Sequence, residues 1–437
     1  MASASPLPAL EVPNTTSAVV RWYVLLMMCL VYTLSIVDRY VVSTVLDPIR
    51  LDLHLTDFGV AMATGVAFAA FYVVLGFPIS WLIDRHSRRL IITVSMIAWS
   101  AMTMLTGLSY APLEFVLARI GVAVGEAGGT PGANSILSDY FPTSRRPMAL
   151  TIFSLGAPIG AWIATAIAGP IADRYGWREV FLVLGVPGVI AGLLVYFTVR
   201  EPRRGQLDHR GEEPAPSFLT TLRFLWRQRS AVHVMAGTSV NALWGWGLMY
   251  WTPTFLQRTY HMSVGASTDI LGPLNLYGGV AATLFTAWLI AWRPMTHPCR
   301  IVRLMGYWIG VATVVSIGIY FTHSLALAKA LLWVFVPSIY FYIGPGFGVL
   351  NNLAEPRMRA IFCAMVLFLA NVGNLVIAPA LVGWLSDLFG GSSGPDAASL
   401  RLAMLCLAPT GFWATAHFFL ALRDLPADQE RATGVPV

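Results

Sequence analysis

The sequence predicts an all-α membrane protein whose twelve transmembrane helices form two pseudo-symmetric six-helix bundles. Hydrophobic residues make up 57% of the 437-residue chain and charged residues only 11%, whereas soluble proteins carry roughly 25% charged residues. The apolar residues gather in runs of about 20, the length that a helix needs to cross the bilayer core. Motifs of the first half also recur in the second half. These observations exclude an ordinary soluble protein. Binding to nucleic acid is not expected, because the sequence has no basic run with interleaved aromatic residues.

Twelve apolar runs, called spans 1 to 12, give the order of the chain. They lie near residues 20–45, 58–83, 90–109, 113–140, 148–172, 179–199, 231–257, 265–292, 302–322, 325–350, 360–386 and 399–422. The longest polar stretch follows span 6 and holds seven arginines, which indicates a linker with a short interfacial helix from Phe218. The expected units are a tail (1–18), a first bundle (19–199), the linker (200–229), a second bundle (230–423) and a second tail (424–437).

The charged loops predict how the chain is oriented. Of the 28 lysine and arginine residues, 20 lie in the tails and in the loops that follow even-numbered spans. Loops rich in lysine and arginine stay in the cytoplasm. We therefore expect both termini in the cytoplasm. We further expect the protein to be a monomer that crosses the inner membrane of a bacterial cell many times.

An internal repeat relates the two halves. A shift of 214 residues pairs Gly169 with Gly383 and Asp173 with Asp387, and a shift of 207 pairs Trp81 with Trp288. Each shift moves the chain by six spans, and an even number of spans preserves direction. The two halves are thus predicted to be related by an axis along the membrane normal, so that they can rock about a central site. Chance matches among glycine-rich helices are the alternative.

Charged residues within spans 1 and 4 are the strongest candidates for mechanism. Asp38 and Arg39 lie in span 1, and Arg119 and Glu126 lie on one face of span 4, about 10 Å apart along its axis. Charges at membrane depth are costly and by default mark a substrate or proton path. Arginine stays protonated in proteins, so only Asp38 or Glu126 can carry a proton. The alternative is an ion-pair network that simply holds span 1 to span 4.

Two further motifs lie in the loop after span 2 and in span 5. Asp84, Arg85, Arg88 and Arg89 of the loop resemble motif A of the major facilitator superfamily, a cytoplasmic latch between the halves. Span 5 resembles motif C, which lets spans of opposite halves approach, in its residues Gly156, Gly160, Gly169 and Pro170. Gly121 and Gly125 add a smooth stripe to span 4. For the loop after span 2, the alternative is a positively charged cytoplasmic loop with no latch. For the glycines of spans 4 and 5, the alternative is an ordinary helix-packing face.

Three segments resemble the Spinster-like branch of that superfamily. They are Asp38-Arg39-Tyr40 in span 1, the stretch from Arg119 to Glu126 in span 4, and the stretch from Pro356 to Asp387 across spans 10 and 11. The resemblance implies the superfamily fold and transport of lysophospholipids or sphingoid phosphates, with proton coupling in some members. It also implicates Asp38, Arg39 and Glu126 in that transport.

The second half offers polar and aromatic side chains rather than charges. The candidates for a substrate-facing wall are Asn241, Trp246, Tyr250, Asn275, Tyr340, Asn371 and Asn374. For the aromatic residues, a place at the membrane interface is an equal alternative. A charged wall opposite a polar, aromatic wall suits an amphiphilic anion such as a lysolipid. Uptake of an aromatic or sugar-derived carboxylate, or efflux of drugs, is the alternative function.

An enzyme is not expected, because the sequence has no HExxH, GxSxG or histidine cluster. We accordingly expect no metal and no cofactor. The expected partners are membrane lipid, a small-molecule substrate and protons.

Overall fold

The computed structural model describes residues 17–142, 145–203, 218–291, 297–355 and 358–433, and every regular element in these ranges is a helix. Ten helices of this part of the chain are long and apolar enough to cross a membrane. Spans 4 and 7 complete the twelve, and they are the spans that carry many of the buried polar and charged residues. The predicted fold class, two six-helix bundles of a membrane protein, is confirmed.

Five spans are continuous helices. They are Ala18–Thr44 (span 1), Arg88–Gly107 (span 3), Trp177–Thr198 (span 6), Arg229–Thr259 (span 7) and Pro298–Phe321 (span 9). Their starts and ends lie within a few residues of the apolar runs.

Seven spans are divided into shorter helices. Two-part spans are Pro112–Glu126 with Gly129–Tyr140 (span 4), Arg146–Ser154 with Gly156–Tyr175 (span 5), Leu325–Phe341 with Ile343–Asn352 (span 10), and Ala397–Leu407 with Thr410–Thr433 (span 12). Spans 2, 8 and 11 each contain a wide π-helical turn: Asp57–Ala61, Met62–Val66 and Ala67–Arg85 (span 2); Val264–Pro273, Leu274–Gly279 and Val280–Ala291 (span 8); Arg359–Asn371, Val372–Ile377 and Ala378–Gly390 (span 11).

Short helices lie between and beyond the spans. Leu46–Asp52 follows span 1, and Phe218–Arg227 lies before span 7, where an interfacial helix was expected. Span 12 continues through Thr433, beyond the predicted start of the tail at residue 424. Asp428 explains this extension, because it is buried and accepts hydrogen bonds from the backbone and side chain of Ser230 at the start of span 7.

Local sequence signals explain where many helices begin. A side-chain oxygen accepts a backbone hydrogen bond from the first turn and so satisfies a donor that the helix leaves free. This N-cap is supplied by Ser17, Thr56, Ser87, Ser263, Ser324 and Asp396.

The bundles have two faces that differ in how the halves pack. The terminal face holds the start of span 1 and the end of span 12, and the loop face holds the connections after odd-numbered spans. One apolar core runs through the whole second half and, near the loop face, also includes the end of span 1 from Val37 onward. Near the terminal face, the first half has a separate core, which includes Val24, Ile136 and Val195. The two halves are therefore joined most extensively towards the loop face.

Candidate functional site

Arg39 and Glu126 form an ion pair inside the first bundle. Arg39 donates from Nε and Nη2 to Glu126 Oε2 over 2.9 and 2.8 Å, and Ser35 Oγ donates to the same oxygen over 3.0 Å. The Glu126 side chain is fully enclosed. A buried carboxylate needs a partner of opposite charge, and Arg39 supplies that partner and joins span 1 to span 4.

Asp38 lies next to this pair but has a different partner. Both of its carboxyl oxygens lie within hydrogen-bonding distance of the hydroxyl of Thr103 in span 3, at 2.8 and 2.6 Å. A threonine hydroxyl carries one hydrogen, so it makes one full hydrogen bond to these oxygens or shares that hydrogen between the two. A proton on Asp38 would supply the second hydrogen bond, so the geometry suits a protonated carboxyl. Sequence reasoning missed Thr103, because nothing in span 3 marks one hydroxyl among several.

Arg119 lies at the wall of a cavity between the halves. The cavity has a volume of about 280 Å³, and Arg39 and Phe68 also line it. Arg119 is only 2% exposed, yet its Nε and Nη1 atoms have no hydrogen-bond partner in the described structure. The ring of Phe68 lies 5.5 Å from the guanidinium carbon of Arg119 and 5.4 Å from that of Arg39. A buried guanidinium with unused donors is suited to bind an anion.

The second half supplies the opposite wall. Four of its predicted residues line the cavity: Trp246, Tyr250, Asn371 and Asn374. The hydroxyl of Tyr250 is hydrogen-bonded to that of Thr64 in span 2, so this contact crosses between the halves.

The other three predicted residues lie behind the wall. The Tyr340 hydroxyl donates to Asn275 Oδ1 over 3.0 Å and lies 3.4 Å from the hydroxyl of Tyr40, which does line the cavity. Asn275 belongs to the wide turn of span 8 and is fully buried. Asn241 is likewise buried within span 7. These residues can orient the wall without forming its surface.

The predicted packing glycines fall into two groups. Gly121 and Gly125 face Met102 and Trp99 of span 3, while Gly156 and Gly160 face residues of span 1, so these four bring spans of the same half together. Gly169 differs, because a Cβ there would lie 2.0 Å from Thr268 Oγ1 in span 8 of the other half. Of these glycines, only Gly169 therefore makes the contact between halves that motif C implies. Pro170, the other residue predicted to belong to this motif, lies beside Gly169 and is exposed.

The arginines after span 2 bind groups of their own half. Arg88 is buried, pairs with Asp139 of span 4 and with Glu201 over 2.8 Å, and donates to the Pro202 carbonyl oxygen over 2.8 Å. The backbone N–H of Arg89 also donates to Glu201, over 2.8 Å. These contacts clamp spans 3, 4 and 6 together at the terminal face.

Two other residues of this motif add little to that clamp. Arg85 is exposed and stacks on Trp81 of its own helix, 4.1 Å from the ring centroid. The side chain of Asp84 lies outside the part of the chain that the structure describes. The expected latch across the two halves stays a prediction.

A charged network at the loop face joins the halves, and sequence reasoning missed it. Arg258 of span 7 binds both oxygens of Asp57 over 2.8 and 2.7 Å and binds Asp47 over 2.6 Å. Arg50 lies 3.1 Å from Asp47 and 3.4 Å from Asp57, which is fully enclosed. Ser386 Oγ of span 11 also donates to Asp57, over 2.7 Å. The sequence signal was weak, since Arg50 and Arg258 count only as loop cations until the fold brings acids beside them.

The described residues contain no group of three or more His, Cys, Asp or Glu side chains that could hold a metal ion. The cavity wall presents arginines, amides and aromatic rings.

Comparison with known proteins gives relatives that cover most of the chain. An MFS-type efflux pump of Mycolicibacterium smegmatis is 29% identical over 89% of both chains. The probable galactarate/D-glucarate transporter GudP of Bacillus subtilis is 25% identical over 86% of this chain and 88% of its own. The mouse sphingosine-1-phosphate transporter SPNS2 is 27% identical over 92% of this chain and 78% of its own.

A solved structure is also similar. It is a bacterial homologue of the human lysosomal transporter Spinster, in an inward-facing and unoccupied conformation, with a TM-score of 0.84 and 29% identity over 94% of this chain and 99% of that one. The family model of the Major Facilitator Superfamily matches residues 28–354. A chain with this match, this fold and a cavity between its halves is a multi-pass membrane transporter and not an enzyme. It belongs to the Major Facilitator Superfamily and is most like the bacterial Spinster-like branch.

Proposed function

We propose that the protein is a proton-coupled secondary transporter that moves an amphiphilic organic anion, such as a lysolipid, across a bacterial inner membrane by alternating access. Arg119 is the observation that carries this proposal, because it is buried, faces the cavity and has unused donors. An anionic headgroup would bind Arg119, while Phe347 and Leu367 in the cavity wall would contact an apolar chain. The mouse relative is named a sphingosine-1-phosphate transporter, which supports this substrate class.

Asp38 is the better of the two candidate proton carriers. Glu126 is held by Arg39 and Ser35, whereas the hydrogen bonds of Asp38 to Thr103 suit a protonated carboxyl. When an anion binds Arg119, the positive charge that favours the ionised form of Asp38 is offset, so a proton binds Asp38 more readily. Substrate and proton would then move together.

The conformation proposed for this structure is inward-facing. The network of Arg258, Asp47 and Asp57 closes the loop face, and positive loops favour a cytoplasmic terminal face. With both termini in the cytoplasm, the cavity would be closed towards the outside and would open inwards. The chain would work as a monomer, with bundles at 19–199 and 230–423 joined by the linker at 200–229.

A second candidate function is transport of a smaller, sugar-derived or aromatic carboxylate. The cavity volume of about 280 Å³ lies just below that of typical small-molecule sites, which span roughly 300–1,000 Å³. It could enclose a small acid completely but only the headgroup of a lysolipid. The Bacillus subtilis relative is named a probable galactarate/D-glucarate transporter. Drug efflux, the function in the name of the mycobacterial relative, remains the third alternative.

Uptake into proteoliposomes under an imposed pH gradient tests the proposal. Oleoyl lysophosphatidate should be taken up faster with the gradient than without it, and Arg119→Gln should abolish that uptake. Asp38→Asn should retain exchange of substrate across the membrane but lose the response to the gradient. Lysophosphatidate uptake that is absent, or that ignores both the gradient and Arg119→Gln, would refute the proposal. Uptake of D-glucarate under the same conditions would favour the second candidate.

A further inference from the structure

Three residues at the cavity wall have buried polar atoms that make no hydrogen bond within the described ranges of the chain. They are Arg119 at Nε and Nη1, Asn374 at Oδ1 and Thr238 at Oγ1, and all three residues line the cavity. Buried polar atoms in proteins almost always have a partner. Unused groups that gather at one cavity therefore indicate where a ligand supplies the missing hydrogen bonds.

These groups come from both halves of the protein. Arg119 belongs to span 4 in the first bundle, while Thr238 and Asn374 belong to spans 7 and 11 in the second bundle. A ligand that satisfies all of them would touch both halves at once. Such bridging is what a transporter needs if the ligand is to influence how its halves move.

The wide turn of span 11 explains how Asn374 reaches the cavity. Asn374 lies within the π-helical turn Val372–Ile377, and such turns are frequent at functional sites. Next to it, a Cβ on Gly373 would lie 3.1 Å from Leu243 Cβ and 3.2 Å from the Ser239 carbonyl oxygen in span 7. Span 11 thus packs tightly on span 7 at the residue after Thr238, and both unpartnered groups of the second half line the same cavity.

The unused atoms differ in the hydrogen bonds that they can make. A guanidinium only donates, so Arg119 needs an acceptor, whereas an amide oxygen only accepts, so Asn374 needs a donor. We propose that the ligand of this cavity is an anion that also carries a hydroxyl or amine donor, and that Asn374 determines specificity for that donor. This inference rests on the proposed function, since it adds a second requirement to the anion that Arg119 binds.

Two pairs of probes test the inference, and each pair differs in its hydroxyl groups. Gluconate and hexanoate are acids of equal chain length, and oleoyl lysophosphatidate and oleyl phosphate are lipid-like anions with and without a hydroxyl. Binding is measured to the full chain in nanodiscs, by calorimetry for the acids and by thermal shift for the lipids. In at least one pair, the hydroxylated probe should bind about tenfold more tightly to the wild-type protein, as expected for one or two added hydrogen bonds.

The variant Asn374→Leu should remove this preference while leaving the affinity for the matching plain anion nearly unchanged. Asn352→Leu is the control, since it removes an exposed amide of the same half that lies outside the cavity wall, and it should keep the preference. The pair that shows the effect identifies the ligand source, a small hydroxy acid or a lysolipid headgroup.

Equal binding of both members of each pair to the wild-type protein would overturn the inference but leave the proposed function standing. A preference that survives Asn374→Leu, or a loss of affinity for every probe in that variant, would also overturn it. If no anion binds at all, the proposed function fails as well.

Discussion

Asp173 and Asp387 occupy equivalent places in the two halves, and each caps the start of a helix in the opposite half. Asp387 of span 11 accepts hydrogen bonds from the backbone of Asp57 and Phe58 at the start of span 2, both over 2.9 Å. Asp173 of span 5 accepts them from the Ser263 hydroxyl over 2.6 Å and from the Gly265 backbone over 3.0 Å, at the start of span 8. The negative charges lie at the positive ends of both helices.

The two caps follow the internal repeat of the sequence. Asp173 and Asp387 are related by the shift of 214, and Phe58 and Gly265 are related by the shift of 207. The glycine four residues before each aspartate also touches the capped helix, as Gly383 shows, where a Cβ would lie 2.6 Å from the Asp57 carbonyl oxygen. Two equivalent aspartate caps, one from each half, therefore hold the halves together at the loop face.

Removing either aspartate should weaken closure of the loop face by a similar amount. A lost N-cap costs about 1 kcal/mol, roughly a fivefold change in a two-state equilibrium. We expect Asp173→Ala and Asp387→Ala each to raise the population in which the loop face is open. Spin labels at the exposed positions 51 and 327, in opposite halves, would report this population as longer distances.

Asp52→Ala is the control for these substitutions, because Asp52 lies at the same face but pairs with Arg178 of its own half over 2.7 Å. Its distance distribution should match that of the wild-type protein. If Asp387→Ala lengthened the distances between the spin labels and Asp173→Ala did not, the two caps would not be equivalent.

The spans and the repeat could be predicted from sequence because the membrane restricts what a chain can do. A helix that crosses the bilayer needs about 20 apolar residues, so the predicted run at 179–199 and the observed helix Trp177–Thr198 nearly coincide. Gly383 and Asp387 were likewise visible as a copy of Gly169 and Asp173. What the sequence did not reveal was the partner of each pair, because Asp57 and Asp387 are 330 residues apart.

The charged residues show the same limit. Arg39, Arg119 and Glu126 stood out because charges are rare within spans, but their pairing depends on how the spans rotate and pack. Glu126 pairs with Arg39 and leaves Arg119 with unused donors. The wide turns of spans 2, 8 and 11 were also missed, since no residue type marks a π-helical turn.

Arg258 should be the strongest single contact that holds the loop face closed. It is 7% exposed and binds two carboxylates of the other half, and breaking such a buried pair costs about 3 kcal/mol. We expect Arg258→Gln to increase hydrogen exchange in the helix Leu46–Asp52, measured by mass spectrometry. Arg178→Gln, which removes an ion pair within one half, should change exchange there much less. Equal effects of the two variants would show that the pair with Arg258 does not control closure.

Thr103 should be needed for coupling of transport to protons, because its hydroxyl is hydrogen-bonded to Asp38. Thr103→Val keeps the side-chain shape but leaves a buried carboxyl unpartnered, which costs about 1–3 kcal/mol. We expect pH-driven uptake to fall about tenfold in this variant. Thr103→Ser retains the hydroxyl and should restore uptake. If Thr103→Val also abolished exchange without a gradient, the role of Thr103 would be structural instead.

Glu201 should make the terminal face sensitive to acid. Burial raises the pKa of its carboxyl, but hydrogen bonds from the Arg89 backbone, Arg88 and Ser87 outweigh burial and hold that pKa below its ordinary value of 4.5. A lowered pKa stabilises the fold above the ordinary value, and this stabilisation is lost as pH falls through the lower value. Glu201→Gln should therefore lower the unfolding temperature of the purified protein near pH 7, and the difference from wild type should shrink towards roughly pH 3. Glu430→Gln, at an exposed position of span 12, is the control, and its unfolding temperature should show no such dependence on pH. If the unfolding temperature of Glu201→Gln instead differs from that of the wild type by the same amount at every pH, the carboxylate charge does not hold spans 3, 4 and 6 together.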